Sequence, residues 1–270
     1  MKNILKSIGK AACYVLLFVL SQFAVSIVVS ISAVLSNADS MLADPNGFAE
    51  EVYNSVMGNA TVIALAANVL TLVVLIVFFA VRKKDMLTEI SAKPLPAMAY
   101  MPLSICGMCL AVIVTIVLSL LPIPESVWQE YAESSSLLEA TGALAILSTV
   151  VIAPIVEETV FRGLVYTRLK GAMPKWIAMV LQAAVFGLLH GQKLWAAYAF
   201  VIGMLLCIVF ESTGSIFANM VMHISFNLMG GYILGMLKDE AAMYVFVAAI
   251  LLLIPCWRYS LRIIKGDKAK

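Results

Sequence analysis

Residues 142–168 read GALAILSTVVIAPIVEETVFRGLVYTR. An apolar run of this length can cross a bilayer, which takes about 20 residues of helix, yet Glu157, Glu158 and Arg162 stand inside it. Ionisable groups are costly in hydrocarbon, so each calls for a partner and a purpose. On a helix turning about 100° per residue, Glu158 and Arg162 share a face and can pair, which leaves Glu157 pointing elsewhere. A carboxylate with no cationic neighbour in a desolvated site suits a general base. The plainer reading is that the three charges mark a helix end at the cytoplasmic interface, and the rest of the chain has to decide between the two.

The medium follows from composition. Of 270 residues, 63% are hydrophobic and 13% charged, with a mean hydropathy of +1.00, whereas soluble domains carry about 25% charged residues. This is the composition of an integral membrane protein. Apolar runs at 11–35, 60–81, 97–121, 142–168, 176–190, 194–210, 216–236 and 241–258 predict an all-α, polytopic fold of about eight transmembrane helices. The runs 176–190 and 194–210 are short and separated only by Gly191, Gln192 and Lys193, so they can also be read as a hairpin that does not fully span.

Lys and Arg are retained on the cytoplasmic side. With the N-terminus inside, every basic residue except Lys193 and Lys238 falls on that side, in clusters at Lys2–Lys10, Arg82–Lys93, Arg162–Lys175 and Arg258–Lys270. The opposite loops carry Asp39, Asp44, Glu50, Glu51, Glu125, Glu130, Glu133 and Glu139. An even span count with both termini cytoplasmic is expected. The basic clusters therefore read as topology signals beside anionic lipid, and the net charge of +2 implies no nucleic-acid partner. About 25 apolar residues after Lys10 exceed a signal-peptide core, so the first run is expected to stay as an anchor. All five cysteines fall within predicted spans, which argues against a disulfide framework; Cys106-x-x-Cys109 reads as packing. No fixed-period repeat is evident, and the loops 36–59 and 122–141 are too short for domains. Gly187-x-x-x-Gly191 and Gly231-x-x-x-Gly235 are expected to let helices approach closely.

Two further polar patterns occur in the apolar C-terminal half. Phe186-x-x-x-His190 holds one of the chain's two histidines, and His223-x-x-x-Asn227 places the other one turn from an amide, a pair suited to a developing oxyanion. Taking about 1.5 Å per residue from the nearest cytoplasmic charge, Glu157 lies roughly 20 Å deep, His190 roughly 22 Å and His223 roughly 18 Å. Unrelated packing residues on three helices have no reason to coincide in depth. A polar cavity within the bilayer, reached from the cytoplasmic side, is the expectation.

Glu157-Glu158-x-x-x-Arg162, Phe186-x-x-x-His190 and His223-x-x-x-Asn227, in this order, resemble the three signatures of the CAAX-protease and bacteriocin-processing (CPBP, or Abi) family of intramembrane proteases. The resemblance implies catalytic membrane helices within 140–240, flanked by N-terminal spans over 1–139 and a final span with a basic tail over 241–270. It implies peptide-bond hydrolysis in which Glu157 activates water with help from His190. His223 and Asn227 would hold the oxyanion, and Glu158 with Arg162 would support them. The substrate would be a membrane-associated peptide or protein, processed in CAAX or leader and bacteriocin fashion, in the plasma membrane of a bacterium. Oligomeric state is left open. Zinc is also open, because Glu157, His190 and His223 could form a His₂Glu site; without H-E-x-x-H, a reaction using no cofactor is the preferred expectation. A transporter would normally show related halves or interrupted helices, and a non-catalytic immunity protein would not need the complete motif set.

Overall fold

The computed structural model describes residues 2–41, 44–136 and 142–267. Glu139, the boundary expected at 139/140 and the tail residues Lys268 and Lys270 lie outside the described residues. Among the described residues the secondary structure is helical throughout, the arrangement that satisfies backbone hydrogen bonds where water is absent. The principal helices are α1 (Lys2–Ser36), α2 (Pro45–Gly58), α3 (Ala60–Val81), α4 (Ala97–Leu120), α5 (Glu125–Ser136), α6 (Ala143–Lys170), α7 (Lys175–Leu188), α8 (Lys193–Thr213), α9 (Ile216–Leu228) and α10 (Asp239–Asp267).

Among the described residues, six helices are long and apolar enough to cross a membrane: α1, α3, α4, α6, α8 and α10. The other two expected runs are helical but differ in kind. Helix α7 has 14 residues, a rise of about 21 Å against a hydrocarbon core of about 30 Å. Helix α9 continues as a π turn (Met229–Ile233) and a 3₁₀ turn (Leu234–Met236), and Asn219, His223 and Asn227 lower its hydropathy. Helices α2 and α5 fall in the two segments expected outside the membrane.

Helix α6 lies at the centre, packed against α1, α3, α7, α8 and α9. Half of its most apolar stretch is buried, 50% against 11% for α1 and 6% for α10. Close approach is made by glycines other than most of those expected. A Cβ on Gly107 of α4 would lie 2.2 Å from the Met222 carbonyl oxygen of α9, and one on Gly187 of α7 would lie 2.6 Å from that of Ala196 in α8. Gly231 and Gly235 have open space instead, and Gly191 takes φ 76° in the turn after α7. Of the two small-residue motifs, only Gly187 mediates a helix contact.

The helix ends that were expected on the cytoplasmic side are tied by charge. In the loop after α3, Asp85 caps the short helix Met86–Glu89 by accepting from Leu87 N and Thr88 N. Glu89 pairs with Lys84 at 2.7 Å and with Arg168 at the end of α6. Its carboxyl is held below the usual range by the hydrogen bond from Lys84. Glu211 of α8 binds Lys170 at 2.5 Å and Lys175 at 2.6 Å, fixing α8 to the turn between α6 and α7.

Candidate active site

The signature glutamates and arginine lie where α6 leaves α-helical geometry. Its turns are π-helical over Leu147–Ile152 and Glu158–Tyr166, with a short α segment, Ala153–Glu157, between them. Such i→i+5 turns are rare and frequent at functional sites.

Glu158 and Arg162 form the expected pair: Arg162 Nη1 donates to Glu158 Oε1 at 2.8 Å, and both side chains are 0% exposed. Arg162 was grouped by sequence with the cytoplasmic charges, but it is buried in the span. The ion pair and a bond from Nη2 to the Gly203 carbonyl at 3.3 Å hold it there. Its guanidinium also lies 4.4 Å from the Phe186 ring centroid, a cation–π contact that strengthens on desolvation.

Helix α9 brings His223 to this pair across 65 residues of chain. His223 Nδ1 lies 2.8 Å from Glu158 Oε1, and Nε2 lies 3.7 Å from Glu157 Oε2. A carboxylate paired with arginine can only accept, so Nδ1 carries the hydrogen and Nε2 is the atom turned toward Glu157. Glu157 makes no contact with Arg162, as its spacing predicts, and keeps 18% of its side chain exposed where Glu158 has none.

His190 stands in the turn after α7, with Nδ1 2.8 Å from the Phe186 carbonyl oxygen. A carbonyl oxygen only accepts, so Nδ1 is the donor and Nε2 is left available. The Phe186 ring contacts both imidazoles, with centroids 4.8 Å from His190 and 6.2 Å from His223. The spacing of Phe186-x-x-x-His190 thus reflects a ring packed beside both histidines and beneath Arg162. Asn227 donates through Nδ2 to the Thr149 carbonyl at 2.9 Å, and an amide nitrogen keeps a second hydrogen to offer. The Thr149 hydroxyl lies 3.0 Å from that of Tyr232.

Sequence reading missed Asn219, which donates from Nδ2 to Glu158 Oε2 at 3.2 Å and to the Leu206 carbonyl at 2.7 Å. The signal was present: Asn219, His223 and Asn227 are each four apart and so share one helix face. It also missed Thr149 and Tyr232, whose hydroxyls carry no recognisable spacing. Two pockets lie away from these residues: about 360 Å³ of apolar space beside Leu17 and Leu70, and about 530 Å³ beside Arg258 and Arg262. Among the described residues no three His, Cys, Asp or Glu side chains are gathered to hold a metal ion.

Residues 139–229 match the family model for type II CAAX prenyl endopeptidase Rce1-like proteins. No curated protein and no solved structure matches the chain. The family match takes in all three motifs, from Glu157 to Asn227, and is consistent with the CPBP-family intramembrane protease that they resemble.

Proposed function

We propose that the chain is an intramembrane endopeptidase that hydrolyses a peptide bond of a membrane-associated protein or peptide. The observation that carries this reading is His223 set between the two signature carboxylates, 2.8 Å from Glu158 and 3.7 Å from Glu157, within the segment that matches the CAAX endopeptidase model. In the proposed reaction, water placed in a polar cavity between Glu157 and His190 Nε2 gives its proton to Glu157, and the hydroxide attacks the carbonyl carbon. Asn227 stabilises the oxyanion through its remaining N–H, and His223 joins it from Nε2 as the imidazolium, in which both ring nitrogens carry a hydrogen. The C–N bond then breaks, and the proton held by Glu157 passes to the leaving amine. No metal or other cofactor is assigned a step. The proposed setting is a bacterial plasma membrane crossed eight times, with both termini cytoplasmic and the catalytic segment over 140–240.

Cleavage in proteoliposomes tests this against transport. The purified protein should cleave a membrane-associated peptide carrying a C-terminal CAAX sequence or a leader-type junction, and it should accumulate none. Exhaustive chelation should leave the rate within about twofold, since metal-dependent water activation would instead be abolished and restored by zinc. Uptake without cleavage, or zinc-dependent cleavage, would overturn the reading.

A further inference from the structure

We propose that Asn219 is a positioning residue that completes the hydrogen bonding of Glu158 and, through it, fixes the imidazole of His223. This rests on the protease reading for its kinetic consequence, but its geometric content stands without it. Glu158 is fully buried, and its oxygens are divided among three donors. Oε1 accepts from Arg162 Nη1 and His223 Nδ1, both at 2.8 Å, and Oε2 accepts from Asn219 Nδ2 at 3.2 Å. Without Asn219, none of these donors would hold Oε2, and the carboxylate could turn about its last bond, carrying the His223 contact with it.

The amide orientation is determined by its surroundings. Asn219 Nδ2 meets two oxygens that can only accept, Glu158 Oε2 and the Leu206 carbonyl oxygen. The flipped amide would set Oδ1 against both of them. Asn219 therefore uses both hydrogens of one nitrogen to tie α6, which carries Glu158, to α8, which carries Leu206. It does so from α9, one turn before His223. The left-handed Gly214, at φ 68°, ends α8 and reverses the chain so tightly that Asn219 falls beside Leu206. Partners that orient functional groups at one remove typically contribute 10- to 100-fold to activity.

The chain has only two histidines, so ring-¹⁵N labelling of histidine gives two imidazoles, and His190→Ala assigns them. In the parent, His223 should show a protonated Nδ1. In Asn219→Ala its nitrogen signals should move toward those of a tautomer mixture while the His190 signals stay in place; His223 signals that coincide with the parent's would overturn the proposal. In the cleavage assay kcat should fall about 10- to 100-fold with KM within about twofold. A purely structural role would instead lower the folded fraction and leave kcat per folded molecule unchanged, which would also overturn it. If Asn219→Ala does not fold, Asn219→Ser keeps one donor in a smaller side chain and carries the same readings. The NMR arm needs no substrate, so absent cleavage by the parent would count against the protease reading alone.

Discussion

Helices α6 and α10 have almost the same hydropathy, 1.9 and 2.0, yet half of the most apolar stretch of α6 is buried and only 6% of that of α10. Average apolarity says that a helix belongs in a membrane, and it does not say which side of the helix faces lipid. The polar residues make that distinction. Helix α10 keeps Arg258, Arg262 and Lys265 together near its C-terminal end, where they are exposed, and turns Leu251 and Tyr244 outward at 67% and 79% exposure. Helix α6 carries Glu158 and Arg162 mid-span at 0% exposure, with every strong partner supplied by protein. Desolvated charge in α6 demands enclosure, and five helices provide it.

The largest effect that would break this contrast is removal of Arg162. Losing one partner of a buried pair costs about 3–5 kcal/mol, so Arg162→Ala should lower thermal stability in detergent sharply and abolish cleavage. Arg162→Lys should not restore either, because an ammonium lacks the fork that reaches both Glu158 and the Gly203 carbonyl. An Arg162→Ala protein as stable as the parent would mean that α6 is no more enclosed than α10.

A smaller effect is expected at the tie between Glu89 and the C-terminal end of α6. The Glu89 carboxyl is held below its ordinary value of 4.5, first by Lys84 and also by Arg168. A depressed folded-state value contributes stability that is present above the unfolded value and lost as pH falls through the folded one. Partial exposure limits it to about 0–1 kcal/mol. Parent stability should therefore decline below about pH 4.5 slightly more than that of Glu89→Gln; identical acid profiles would remove the tie. The smallest effect belongs to α10, where Leu251→Ala should change stability by no more than about 0.5 kcal/mol. A loss of 2 kcal/mol or more there would show that α10 is covered by protein, as α6 is.

Much of the site was legible as spacing. Glu158 and Arg162, four apart, pair as helical geometry requires, and Glu157 stands clear of the arginine. What spacing could not carry is contact between distant segments. The bond from His223 to Glu158 crosses 65 residues and that from Asn227 to Thr149 crosses 78, and neither follows from a helical period. The π turns at 158–166 were hidden for a related reason: periodicity assumes 3.6 residues per turn, and an apolar run looks the same when the turn widens. The fold was legible as helices, but α7 and α9 are shorter or more interrupted than their apolar runs suggested, because a run records composition and not where the helix ends.

The central claim is that the two adjacent glutamates have separate tasks, Glu158 buried and fully bonded, Glu157 open and basic. It is tested most directly by Glu157→Gln, which keeps the shape and removes the base. The purified variant should retain the parent's thermal stability while kcat for a membrane-associated peptide falls by about 10²–10⁴. A stable Glu157→Gln protein that turns over at the parent rate would contradict the account.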